Sequence, residues 1–175
     1  MNLHVVACPE LNAGDYERIQ EYRRRFNSLY TIIEPHFTLV FSVPDMELAV
    51  FCDEIAKQAQ GIEVINFCLR CATINKDAIS CNYDAFLVPD EGNSRILRLH
   101  DRLYSSTLER HHRLDIPYVP HISIANSPDA VAIKRIVDEW NSQPFEIQGR
   151  ISTLDIINYE NRVVTTTGRV NLALR

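Results

Sequence analysis

Two histidines in this chain are each preceded by a proline and followed, two positions on, by a hydroxyl. The segments are Pro35-His36-Phe37-Thr38-Leu39-Val40 and Pro120-His121-Ile122-Ser123-Ile124-Ala125. Imidazole is the side chain whose ordinary pKa lies near neutrality, so of two facing histidines one can accept a proton while the other donates one. Cleaving a phosphodiester uses both. A neutral ring draws the proton from an attacking water or ribose hydroxyl, and a protonated ring delivers one to the departing oxygen. The hydroxyls of Thr38 and Ser123 would hydrogen-bond the non-bridging phosphoryl oxygens, where negative charge builds in the transition state. His36, Thr38, His121 and Ser123 are therefore the candidate catalytic residues, in a chemistry that asks for no metal and no cofactor.

The spacing tells how such residues are presented. Side chains alternate faces along a strand, so His36 and Thr38 share one side while Phe37 and Leu39 take the other, and His121 and Ser123 repeat the arrangement. A single copy reads as a satisfied strand histidine beside a β-favouring hydroxyl. Two copies are far rarer by chance, one match being expected roughly once per hundred or more chains. The duplication extends further: Asp53-Glu54 returns as Asp138-Glu139 at the same 85-residue offset that separates the histidines (36 to 121). A helix start follows each motif, Pro44-Asp45 and then Pro128-Asp129, and a charged amphipathic stretch precedes each, Asp15 to Tyr30 and Ser94 to His112. The chain reads as two related lobes within a single domain, residues 1–175.

The positioning elements follow from periodicity. Leu3 to Cys8 is β-like. A helix begins near Asp15 as N-cap, with Tyr16, Ile19, Tyr22, Phe26 and Tyr30 on its apolar face and Arg23-Arg24-Arg25 as a solvated surface, a phosphate contact being the alternative. A strand is expected from His36 to Ser42, then a helix from Asp45 to Gln60 stopped by Gly61. Ile62–Thr73 and Ala78–Val88 form a hairpin around Asn75-Lys76-Asp77. Ser94 opens a second long helix whose apolar stripe runs through Leu108, and Asp115 to Pro120, stiffened by two prolines, delivers the second motif. A helix from Asp129 to Trp140 and strands at Phe145–Ile157 and Arg162–Leu172 complete the chain.

Several classes are excluded. No run is long and apolar enough to span a bilayer and no secretion signal opens the chain, so a cytoplasmic protein with no membrane partner is expected. Five cysteines, an odd number without such a signal, argue against a disulfide framework. Cys68 and Cys71 fall in a strand-like stretch, where residues three apart face opposite ways and cannot chelate one ion together. His100, His111 and His112 have no acidic or cysteine partner at ligand spacing on their helix. The five glycines are scattered singly, so no phosphate-cradling loop exists. There is neither a Gly-x-Ser-x-Gly elbow nor a His-Glu-x-x-His helix. A net charge of −5 disfavours long duplex nucleic acid, whose binding is driven by many phosphate contacts. A short end or a free nucleotide suits it better. The arginines between Ser94 and Arg113 read as a solvated helix face, with an RNA-guiding stripe as the alternative.

The paired His-x-Thr/Ser motifs, the proline before each and the spacing of the halves resemble the two-histidine (2H) phosphoesterases. That family includes the 2′,5′ RNA ligase-like proteins and the cyclic nucleotide phosphodiesterases. The resemblance covers essentially the whole chain. It implies an α+β bilobal duplicated fold, two antiparallel β-sheets forming a central cleft, helices outside, and the histidines facing each other across the cleft. It implies metal-independent opening of a 2′,3′-cyclic phosphate on an RNA end or small nucleotide to leave a 2′-phosphate, with 2′,5′ ligation in some members. A nucleotide-binding module on the same fold without turnover is the alternative, and an ADP-ribose cyclic phosphate is a further candidate substrate. A monomer is expected.

Overall fold

The computed structural model describes residues 1–174. Its elements run β1 (Asn2–Ala7), β2 (Glu10–Leu11), α1 (Ala13–Phe26), β3 (Phe37–Pro44), α2 (Leu48–Ala59), β4 (Ile65–Lys76) and β5 (Tyr83–Glu91). Then follow α3 (Asn93–Leu103), a 3₁₀ segment (Ser106–His111), β6 (Ile122–Ser127), α4 (Ala130–Asn141), β7 (Ile147–Ile151), β8 (Thr153–Glu160) and β9 (Val163–Asn171). The strands make two antiparallel sheets, ordered β3-β1-β8-β9 and β2-β7-β4-β5-β6. This is the α+β, two-sheet architecture that the resemblance implies.

Each motif opens a strand at the edge of its own sheet: β3 pairs only with β1, and β6 only with β5. Strand alternation does the positioning. Phe37, Leu39, Ile122 and Ile124 are fully buried, while His36, Thr38, His121 and Ser123 keep partial access to solvent. The anchoring side chains reach across the core, with Phe37 meeting Phe67 of β4 edge-on at 5.0 Å between ring centres. Burying such a ring is worth about 3–5 kcal/mol against alanine, so the backbone beneath each histidine is held by hydrocarbon on its reverse face.

Several boundaries differ from the sequence reading, each for a local reason. Asn12 rather than Asp15 caps α1: its side chain accepts the Asp15 backbone N–H, and Asp15 sits in the first turn. The helix ends at Phe26, leaving Tyr30 outside it. The helix expected from Asp45 begins at Leu48, because Asp45 adopts a positive φ of 58°. The hairpin turn lies at residues 77–82 rather than 75–77, since Asp77 caps the loop by accepting the Ile79 and Ser80 backbone N–H groups. The second long helix stops at Leu103 and resumes as the 3₁₀ segment. Its start needs glycine: Gly92 has φ 81°, and a Cβ there would lie 2.5 Å from the Asn66 carbonyl oxygen. The single strand expected over Phe145–Ile157 is two, β7 and β8, which belong to different sheets and meet around Ser152.

Candidate active site

The two histidines are held alike. His36 Nδ1 lies 2.8 Å from the Glu34 carbonyl oxygen and His121 Nδ1 lies 2.6 Å from that of Val119, each a carbonyl two residues back. A carbonyl can only accept, so Nδ1 carries the proton in both rings and Nε2 is left free as base or, once protonated, as acid. His121 is further fixed by stacking on Phe86, with ring centres 3.5 Å apart and planes 12° from parallel.

His36, Thr38, His121 and Ser123 line one small cavity of about 30 Å³, together with Arg23, Asn27, Leu29 and Pro35. The cavity opens into a cleft of about 400 Å³ that contains the same four residues and is walled by Asn75, Asp77, Asp84, Phe86, Tyr118 and Asn126. On the side of His36 lies a second, mostly apolar pocket of about 200 Å³ formed by His4, Ile32, Ile33, Phe41, Ile157 and Tyr159 among others.

Sequence reasoning missed two members of this constellation. Arg23, expected on a solvated face with a phosphate contact only as the alternative, is 1% exposed. Its Nη1 donates to Gln20 Oε1 (2.7 Å) and its Nη2 to the Ile33 carbonyl (2.5 Å), while its Nε has no partner among the described residues. Glu34, the counter-charge that acts most strongly on it, is instead bonded to Tyr16 and Gln20. Arg23 is therefore a buried cation beside the cavity with donor capacity to spare. Asn27, at the end of α1, donates from Nδ2 to both the carbonyl and the Oγ of Ser123, each at 3.2 Å. That contact orients the Ser123 hydroxyl, whose own proton is left for another acceptor. The signal for Arg23 was its register: it falls four residues after Ile19, on the buried stripe of α1.

The electrostatics suit an anion. Burial pushes both His36 and His121 down to about 4. The Arg23 guanidinium adds to the effect at His36, and His36 adds to it at His121. Both rings are thus neutral at pH 7 in the free protein, next to a positive charge. Across the cleft Asp84 is pushed up to about 7 by burial and by Asp77.

The remaining candidates sort plainly. Arg24 and Arg25 are exposed. In the arginine-rich stretch, Arg95 reaches Glu63, Arg102 the Gln60 carbonyl and Arg113 Asp115, which ties three of its charges to the protein's own surface. Cys68 is buried and Cys71 exposed. Tyr118 lines the cleft and donates its hydroxyl to the Thr38 carbonyl at 3.0 Å.

Comparison with known proteins gives a consistent result. The family model of the 2′-5′ RNA ligase superfamily matches residues 11–162. A phosphoesterase candidate of Staphylococcus haemolyticus is 23% identical over 164 residues, 91% of each chain. One of Bacillus pumilus is 31% identical over 127 residues, 71% of this chain and 70% of that one. Among solved structures, TT0787 of Thermus thermophilus superposes with a TM-score of 0.64 at 16% identity. E. coli LigT complexed with 3′-AMP does so at 0.61 and 17%, and both cover 98% of each chain.

Proposed function

This chain belongs to the 2′-5′ RNA ligase superfamily and is a phosphoesterase of that family, and from that premise we propose that it opens a 2′,3′-cyclic phosphate by general acid–base catalysis between His36 and His121. The substrate is an RNA end or a small nucleotide, and the product a 2′-phosphate. The observation that carries the reading is the shared cavity: two imidazoles, each with its Nε2 free, and two hydroxyls converge on one volume beside a buried guanidinium. That LigT has been captured with 3′-AMP fits a nucleotide-sized ligand.

The proposed step balances as follows. One neutral imidazole takes a proton from water as its oxygen bonds to phosphorus. The other, protonated, gives its proton to the ribose O3′ as the P–O3′ bond breaks, so the pair exchanges protonation states over the turnover. Thr38 and Ser123 donate to the non-bridging oxygens, and Arg23 balances the charge that accumulates there. The depressed pKa values have a role in this scheme. Both rings are unprotonated until the phosphate enters, and its negative charge raises the affinity of one ring for a proton at the moment an acid is needed.

The test follows a 2′,3′-cyclic mononucleotide by phosphorus NMR in the presence of EDTA. Appearance of the 2′-monoester is expected. His36→Ala and His121→Ala should each lower kcat by at least about 10²- to 10⁴-fold with little loss of stability. Full activity in either variant would overturn the assignment.

A further inference from the structure

A second constellation of titratable side chains lies outside the cleft, where α3 ends. The 3₁₀ segment after Leu103 turns the chain back on the helix, so that His112 stacks on Tyr104 with ring centres 4.5 Å apart and meets His100 edge-on at 5.3 Å. One ring nitrogen from each of His100 and His112 and a carboxylate oxygen of Asp101 lie within 4.8 Å of one another. From spacing along the helix no acidic partner is expected for His100, but Asp101, the next residue of α3, brings a carboxylate within range, and the fold adds His112 from twelve positions on. We propose that His100, Asp101 and His112 form a binding site for a divalent transition metal of the zinc type, and that the metal fastens the segment leading into the second motif.

Three observations carry this. First, His100 is 2% exposed, and its Nδ1 donates to the Leu39 carbonyl at 2.8 Å. A backbone acceptor on one nitrogen is the arrangement that fixes a metal-binding histidine's tautomer and aims the other nitrogen outward. His100 Nε2 has no hydrogen-bond partner among the described residues. Second, the His112 ring and the Asp101 carboxylate likewise make no hydrogen bond or ion pair among the described residues, in a protein whose other carboxylates are largely engaged. Third, the donor set is two imidazoles and one carboxylate, which selects zinc-like ions over magnesium or calcium, whose preference is for oxygen alone. A tetrahedral zinc with bonds of about 2.0–2.1 Å separates its ligands by about 3.3 Å. Closing from 4.8 Å is within reach of the exposed Asp101 and the half-buried His112 while His100 stays fixed. Water would hold the fourth position.

The site's neighbours give it a task. The His100 ring lies flat on Tyr118, 3.5 Å between centres and 4° from parallel, and Tyr118 in turn bonds the Thr38 carbonyl. His100 itself bonds the next carbonyl of β3, and the Tyr104 hydroxyl accepts the Phe41 N–H at 2.7 Å. A metal here joins α3 to His112, and through that residue holds the 113–120 segment that ends at His121. None of the three ligands lines the catalytic cavity.

The experiment uses the full chain, stripped with chelator and dialysed, then titrated with zinc chloride by calorimetry and with cobalt chloride by absorption. One equivalent is expected to bind, with the visible bands of tetrahedral cobalt, no thiolate charge-transfer band, and a rise in Tm that magnesium does not reproduce. Asp101→Asn, a surface change that leaves the fold intact, and His112→Ala should each weaken binding by at least about 100-fold. The double variant His36→Ala/His121→Ala should bind as tightly as the native chain. Failure to bind zinc stoichiometrically at micromolar concentration would overturn the proposal. So would binding that survives both Asp101→Asn and His112→Ala but is lost in the active-site double variant.

Discussion

Arg23 is the one cation lining the small cavity, and its situation is unusual for an arginine. Guanidinium groups are almost never fully buried unless paired, yet its Nε is orphaned and Glu34 is turned toward Tyr16 and Gln20. A buried charge short of partners is costly unless something else satisfies it, and a phosphoryl group is the anion the neighbouring histidines would receive. Arg23→Met keeps the aliphatic stem and removes the donors. It should lower kcat/KM on a cyclic nucleotide by about 10²- to 10³-fold, the scale of losing one oxyanion donor. The same change orphans Gln20 Oε1 and the Ile33 carbonyl, at about 1–3 kcal/mol apiece where water cannot reach. Urea unfolding measures that loss separately from the kinetics. Arg23→Lys retains a charge but not the fork, so a rate close to native in that variant would mean that charge alone suffices.

At the scale of elements, the site depends on where α1 stops. Its C-cap Asn27, the residue after Phe26, satisfies the Leu29 N–H through Oδ1 (2.9 Å) and donates to Ser123 of β6 through Nδ2, so one amide both ends a helix and orients a hydroxyl of the candidate site in the second sheet. Asn27→Ala should destabilise the protein by about 1–2 kcal/mol. It should also depress the rate non-additively with Ser123→Ala, because both substitutions remove the same oriented group; a double-mutant cycle on kcat/KM reads the coupling. This contact also marks what the sequence could and could not disclose. The two motifs and the strands that carry them were legible, because strand alternation is local: a proline, an imidazole, an apolar residue and a hydroxyl at successive positions suffice. Asn27 carried no signal, and Arg23 could not be singled out, since a triple arginine has the composition of a solvated face with a phosphate contact only as the alternative, and only the packing of α1 against β6 decides which of the three turns inward. The division of one apparent strand into β7 and β8 was equally hidden. Periodicity runs on almost unbroken through Ser152 while the chain changes sheets, which is a long-range event.

For the molecule as a whole, the pKa shifts make stability depend on pH in a direction that can be worked out. His36 and His121 titrate near 4 in the fold and near 6.5 when unfolded. Between those values the unfolded chain binds protons that the fold refuses, so these two rings make stability fall as pH drops from 6.5 to 4, by at most about 3 kcal/mol each. His4, lowered by burial, acts in the same sense. Asp84 opposes them: its folded value of about 7 lies above the ordinary carboxylate range, so its contribution is present at low pH and is lost as pH rises toward 7. Burial lowers His100 and His111 as well, so five rings against one carboxyl leave a net positive slope of stability with pH between about 5 and 6.5. That window is high enough for most other carboxylates to remain ionised. Urea midpoints across it should rise with pH in the native chain, rise more steeply in Asp84→Asn, and flatten in His36→Gln/His121→Gln. The same linkage predicts that a 2′-nucleotide, the product of the proposed reaction, stabilises the protein more at pH 5.5 than at pH 8, because its phosphate favours a protonated imidazole that only the lower pH supplies. A native slope unchanged in the glutamine double variant would mean that the two rings are not held neutral by the cleft. The scheme in which an incoming phosphate summons the catalytic proton would then lose its footing.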